Sequence, residues 1–247
     1  MIRLSVNVNK VATLRNSRGG HEPSVLAAVG VVVAGGAPGV TVHPRADERH
    51  ITTADVRDIA AFLSPHRRSV EYNIEGDPRP GLLSLVHDVR PDQCTLVPVR
   101  PGEITSQAGW SLETPRPALS AVVRELRDAG IRVSLFVDPE PDAVALAADL
   151  GADRVELYTE PFARAFAQGG DVGAASFRHY VEAAEAAHRL GLGVNAGHDL
   201  DLDNLTLFRT LPHLEEVSIG HALMSHALFV GLPAAVRDYL AAVTAPA

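Results

Sequence analysis

Short apolar runs rich in Val, Ile and Leu recur from one end of the chain to the other, with helical spacing between them. Read as strands, the runs are RLSVNV (3–8), GVTVH (39–43), SVEYNI (69–74), CTLVP (94–98), RVSLFV (132–137), RVELY (154–158), GLGVN (191–195) and EVSIG (216–220). Helices are predicted at TTADVRDIAAFLS, at ALSAVVRELRDAG with Gly130 just past its end, at PDAVALAADLGA, along the alanine-rich GAASFRHYVEAAEAAHRLGLG, and at PAAVRDYLAAVTA. Ser24 to Val42 is uncharged over 19 residues, close to the ~20 of a membrane span. The sequence AGGAPG (34–39) splits it, so it reads as a buried helix, a turn and a buried strand.

Eight strands alternating with helices, with no linker or repeat between them, predict an α/β fold: a single (β/α)8 TIM barrel with extra helices in or near the loops. Residues 1–247 would then form one catalytic domain. The nearly continuous apolar strands suit a parallel sheet buried on both faces. A doubly wound open sheet is the runner-up, weakened because no Gly-x-Gly-x-x-Gly follows the first strand. Two connections are long. Residues 99–117 read as a lid, and 159–173 read equally as a lid or as an added helix or oligomer contact.

A barrel enzyme gathers its chemistry at the C-terminal ends of its strands. Polar residues fall there: Asn7 and Asn9, His43 and Arg45, Glu75, Asp138, Glu156, Asn195 and His198, then Gly220 and His221. The strand starts carry mostly Gly, Arg and Glu. His43 is a candidate acid or base, or a capping histidine; Arg45 and His50 in the same loop make an anion site. Glu75 precedes Asp77 and Pro78, which read as a helix cap and first turn. It is a candidate base, or else half of an ion pair. Glu156, inside a strand, calls for a partner: a structural ion pair, or a charge facing a cationic intermediate. Asn195 with His198, and Gly220 with His221, follow strands seven and eight, where barrels often bind phosphate.

Composition narrows the field. A net charge of −8 argues against a general nucleic-acid surface. Cys94 stands alone, so no disulfide framework or cysteine zinc site is expected, and a reducing, cytoplasmic setting fits. No secretory signal pattern opens the chain. The 11 histidines include no His-x-His or His-Glu-x-x-His, so no metal is expected. His179 and His188 read as surface residues on opposite faces of one helix. Lys10 is the only lysine among 22 basic residues, and it lies in VNVNKVATLRNSRGG.

That segment, with GVTVHPRADERHIT, YNIEGDP, VSLFVD, VNAGHDL and SIGHALM in this order, resembles the pyridoxine 5′-phosphate synthase family of deoxyxylulose-dependent vitamin B6 biosynthesis. The resemblance covers nearly the entire chain. It implies a transferase-class enzyme (EC 2.6.99.2) without metal or organic cofactor, assembled as a homo-octamer. It would condense 3-amino-1-hydroxyacetone 1-phosphate with 1-deoxy-D-xylulose 5-phosphate into pyridoxine 5′-phosphate, inorganic phosphate and water. By resemblance, His43 and Glu75 match the proton acceptors, His198 the proton donor, and Glu156 the transition-state-stabilising carboxylate. Asn7, Arg18, Gly220 and His221 match contacts to the amino-ketone phosphate; Arg45, His50 and Thr105 match contacts to deoxyxylulose phosphate. The chain departs from the family at Asn9 and Lys10, where many members have Asp-His contacting deoxyxylulose phosphate. It departs again at Asp199, where glycine is common and a backbone N–H contact would survive. Two other readings stand beside this one: a different cofactor-free phosphate-binding barrel in which Lys10 forms an imine, and a non-catalytic barrel that binds a phosphorylated metabolite.

Overall fold

In the computed structural model, which describes residues 1–99 and 108–245, eight strands close into a barrel in chain order. They are β1 (Arg3–Asn7), β2 (Gly39–Val42), β3 (Glu71–Gly76), β4 (Gln93–Leu96), β5 (Arg132–Val137), β6 (Arg154–Leu157), β7 (Gly193–Ala196) and β8 (Leu214–Ile219). Each strand runs parallel to the next, and β8 closes on β1. The helices are α1 (Asn9–Asn16), α2 (Val25–Ala34), α3 (Thr53–Leu63), α4 (Pro80–Val89), α5 (Arg116–Asp128), α6 (Pro141–Asp149), α7 (Glu160–Ala167), α8 (Gly170–Arg189), α9 (Leu205–Phe208), α10 (His221–Val230) and α11 (Leu232–Thr244). The (β/α)8 barrel expected from the sequence is the fold, and the open-sheet alternative is excluded. The uncharged stretch at 24–42 becomes α2 and β2, and among the described residues no helix is long and apolar enough to cross a membrane.

Local chemistry sets the helix ends. The Ser24 hydroxyl accepts the Ala27 N–H at the start of α2, and Thr52 and Asp55 form a reciprocal capping box on α3. Gly130, just beyond α5, sits at φ +79°, a conformation that side-chain-bearing residues resist.

One strand face departs from the expected pattern. The outward residues, such as Leu4 and Val6 of β1 or Tyr72 and Ile74 of β3, are apolar and fully buried against the helices. The inward face is also buried but polar: Ser5, Thr41, Asn73 and Thr95 link side chain to side chain around four strands at 2.7, 3.4 and 3.1 Å. Hydrogen bonds also cross the lumen, from Asn195 of β7 to Gln93 of β4 at 3.4 Å and from Ser218 of β8 to Glu75 of β3 at 3.5 Å. Barrel interiors are usually filled by Val, Ile and Leu. Here the strands are not continuously apolar; they alternate, and both faces are buried.

Two further expectations change. Asp77 does not cap α4. Its carboxylate takes the Arg79 guanidinium, and the helix starts at Pro80 without a side-chain cap. The connection at 159–173 is an added helix: Phe162 of α7 is buried among Phe166, Phe177, Tyr180 and Phe208. The alanines of α8 are buried within this chain: Ala183, Ala184, Ala186 and Ala187 join the core between barrel and helices. Residues 100–107 of the proposed lid at 99–117 lie outside the described residues. Its last part is anchored by Trp110, whose Nε1–H donates to the Leu96 carbonyl at 2.8 Å.

Candidate active site

At the C-terminal mouth of the barrel lies a cavity of about 370 Å³. Asn7, Asn9, Lys10, His43, Arg45, His50, Glu75, Glu156, His198, Asp199, Gly220 and His221 all line it. Nearly every residue singled out from the sequence therefore converges on one space. Arg18 does not line it, being exposed beyond the end of α1, and Thr105 lies outside the described residues.

His43 and Glu75 form the centre. His43 follows β2 and is 6% exposed; its Nδ1 stands 3.6 Å from Glu75 Oε2 on β3. The Glu75 carboxylate also receives the Ser218 hydroxyl, while His43 Nε2 is buried with no hydrogen-bond partner among the described residues. A buried ring nitrogen left unpaired is costly in a structural position and useful in a catalytic one. The ring is aimed from behind: Asn9 Oδ1 accepts the His43 backbone N–H at 2.9 Å, and Asn7 Oδ1 accepts the Asn9 N–H at 3.0 Å. Asn9, expected to touch substrate, thus also ties α1 to β2.

His50 is a different kind of histidine. The Ile51 N–H donates to its Nδ1 at 2.9 Å, so the proton of the neutral ring sits on Nε2. Burial, helped by His43, Arg45 and Lys10 nearby, pushes its pKa down to about 4. His50 is therefore a neutral hydrogen-bond donor beside the cations Arg45 and Lys10. Its backbone is fixed from α1: Arg15 grips Asp55 through two bonds of 2.5 and 2.9 Å and also reaches the His50 carbonyl, as does Asn16. Sequence reading missed Arg15 and Asn16, whose role depends on contacts 34 to 40 residues away.

Glu156 lies deeper, with no cation within ion-pair reach among the described residues. The ion-pair alternative for it fails. Burial, then the negative charges of Glu75 and Glu216, raise its pKa well above the carboxylate range, against the Thr95 hydrogen bond. These surroundings favour its protonated form. Two residues read as strand-end chemistry serve elsewhere: Asn195 accepts from Arg154 at 2.8 Å toward the floor of the barrel, and Asp138 accepts the Gly109 N–H at 3.2 Å.

His198 follows β7. Its carbonyl accepts from the Thr159 hydroxyl, its ring packs edge-on against Tyr158 at 5.4 Å, and its Nδ1 meets Asp199 Oδ2 at 2.9 Å. The chain passes very close to β8 just before: a Cβ on Gly197 would lie 2.0 Å from the Ser218 carbonyl oxygen, so only glycine fits. Ser218 itself, together with Phe136 and Val97, lines the cavity without having been anticipated. The period-two alternation through Glu216, Ser218 and Gly220 was the signal for Ser218.

Fold and cavity together define a class: a TIM barrel that collects acid–base side chains and anion-binding groups at its C-terminal mouth. Within that class, residues 4–245 match the family described as "Pyridoxal phosphate biosynthesis protein PdxJ", and the chain belongs to it. A relative from Leptospira biflexa serovar Patoc (strain Patoc 1 / Ames), named pyridoxine 5′-phosphate synthase, is 49% identical over 250 residues, spanning 97% of this chain and 96% of the relative. One of the same name from Bacteroides fragilis (strain YCH46) is 50% identical over 240 residues, spanning 97% and 98%. Among solved structures, phosphoribosyl anthranilate isomerase from Thermotoga maritima superposes with a TM-score of 0.62 at 13% identity over 100% of both chains. The 3-hexulose-6-phosphate synthase from Salmonella typhimurium gives 0.63 at 15% over 98% of both. These two share the fold.

Proposed function

We propose that the chain is a pyridoxine 5′-phosphate synthase, a transferase-class enzyme (EC 2.6.99.2). It joins 3-amino-1-hydroxyacetone 1-phosphate to 1-deoxy-D-xylulose 5-phosphate and closes the ring with release of inorganic phosphate and water. The observation that carries this is the convergence of His43, Glu75 and His198 on one cavity flanked by Arg45, His50 and Lys10, in a chain half identical to relatives of that name.

The chemistry asks for repeated proton transfers around one held intermediate. Attack of the amine on the ketone and loss of water give an imine; further deprotonation at carbon and loss of water and phosphate complete the ring. Glu75 and His43 accept protons, the orphaned His43 Nε2 being the free site on that ring. His198 donates to the departing oxygen. Glu156 lies beside the intermediate, where positive charge favours its ionisation against the pull of burial. Asn7, Gly220 and His221 take the amino-ketone phosphate; Arg45 and His50 take the deoxyxylulose phosphate, Arg45 as a charged fork and His50 as a neutral donor. Asn9, Lys10 and Asp199 border the substrates. Arg18 and Thr105 are assigned to them by resemblance alone. We further place residues 1–247 in one catalytic domain, working in the cytoplasm as a homo-octamer without a cofactor.

Purified protein given both substrates should yield pyridoxine 5′-phosphate and phosphate in equal amounts, measured by chromatography. Turnover of neither substrate would overturn the assignment. Retained activity in Lys10→Arg would exclude an imine on the enzyme's lysine.

A further inference from the structure

Asp199 is an unusual residue in an unusual conformation. It has φ +64°, the left-handed region that glycine enters freely and that aspartate enters at a modest cost. Its carboxylate is used: Oδ2 lies 2.9 Å from His198 Nδ1. The Tyr158 ring and the bond from Thr159 to the His198 carbonyl hold the histidine against it. We propose that Asp199 is a positioning residue that fixes the tautomer and charge of His198, so that this pair works as an Asp–His dyad. The inference rests on the synthase reading for the role of His198, but the dyad itself does not.

The argument is one of donors and acceptors. The hydrogen bond from His198, ahead of the opposing cost of burial, and the positive charges of His198, His221 and Lys10 hold the Asp199 carboxyl below its ordinary range. It is therefore ionised and can only accept. His198 Nδ1 must then carry a hydrogen in both charge states of the ring. The exchanging proton is confined to Nε2. In the imidazolium, Nε2–H gives its proton to the oxygen that departs as water or phosphate; the N–H bond breaks, the O–H bond forms, and the neutral Nδ1–H ring remains on Asp199. Solvent returns the proton to Nε2. The carboxylate stays charged throughout and stabilises the imidazolium, as an aspartate does for a triad histidine. Lys10 from α1 and His221 from α10 face the same carboxylate, and Tyr158 packs against the imidazole, with the charges of Asp138, Glu160 and Arg164 near Tyr158.

The test compares Asp199→Gly and Asp199→Asn with the unaltered enzyme. Glycine suits the backbone and keeps its N–H; asparagine keeps an acceptor oxygen and loses the charge. In ¹⁵N-histidine spectra of the free protein, with the His198 signal identified by its loss in His198→Gln, the wild-type ring should show protonated Nδ1. In Asp199→Gly, with no carboxylate to hold the Nδ1 hydrogen, the neutral ring should shift toward the Nε2–H tautomer. In turnover, kcat should fall about tenfold with the KM of both substrates within about twofold. Asparagine should fall between the two.

An unchanged His198 tautomer in Asp199→Gly overturns the dyad whatever the activity does. So does a loss confined to KM, which would mark Asp199 as a substrate contact only. If the unaltered enzyme makes no pyridoxine 5′-phosphate, the synthase reading fails and the spectra alone decide the dyad.

Discussion

Glu71 and Glu75 lie four residues apart on the same face of β3, one at the floor of the barrel and one at its mouth. Glu71 is clamped between two guanidiniums, Arg3 at 2.9 Å and Arg132 at closer range. Around it the floor is a connected lattice, with Ser134 Oγ the exception: Arg132 bonds Gln93, Gln93 receives Asn195, and Asn195 receives Arg154, which pairs with Glu215. Among the described residues Glu75 has only a hydroxyl at 3.5 Å and a histidine at 3.6 Å, and that histidine has a nitrogen with no partner there. The same side-chain types are spent on mutual satisfaction below and held in reserve above. Saturated charge specifies a structure; the unspent contacts at the mouth are what a substrate can take up.

Three substitutions sharpen that contrast. The largest effect belongs to the mouth. His43→Ala should lower turnover about 10³-fold, within the range for a lost general base. It should leave the melting temperature within a few degrees, because the ring it removes was itself under-satisfied. A large drop in melting temperature would make His43 a structural residue.

The floor should answer the other way. Glu71→Ala strands two arginines whose side chains are 37% and 29% exposed. The expected cost is about 2–4 kcal/mol, somewhat below that of a fully buried pair because both arginines reach water. The melting temperature should fall by about 5–15 °C. The kcat of the folded fraction should stay within about twofold; a loss comparable to that of His43→Ala would erase the distinction between the two ends.

The smallest effect is a pH dependence. Glu216, buried at the floor, is pushed up to about 7 by burial and by Glu71, against the pull of Arg154, Arg3 and Arg132. A carboxyl whose folded pKa is raised binds its proton more tightly when folded. It contributes stability in full below about pH 4.5 and loses it as pH rises to 7. The loss should be about 1–3 kcal/mol. Calorimetry from pH 5 to 8 should show Glu216→Gln with a flatter melting temperature than the unaltered protein. Parallel curves would place the titration elsewhere.

Much of the fold could be read in advance because it depends on local signals. Strand runs, Gly130 after α5 and the break at AGGAPG each report their own neighbourhood. The mouth was legible because (β/α)8 topology sends every strand end to one side, so a linear search for polar residues after apolar runs found it. What escaped depends on partners distant in sequence. Asp77 looked like a helix cap until Arg79 took its carboxylate. Asn195 looked like strand-end chemistry, yet Arg154 and Gln93 draw it to the floor. The anchoring of His50 by Arg15 and Asn16 cannot be seen along the chain, because nothing local announces which carbonyl a guanidinium will reach.

The left-handed backbone at residue 199 also has an evolutionary meaning. Glycine and aspartate codons differ by a single base, and both residues tolerate that conformation. A barrel with glycine there can thus acquire a carboxylate beside its histidine in one mutational step without rebuilding the loop, and can discard it as easily. The position is a low barrier on the genetic landscape, where selection can adjust the strength of an acid while the rest of the mouth stays fixed.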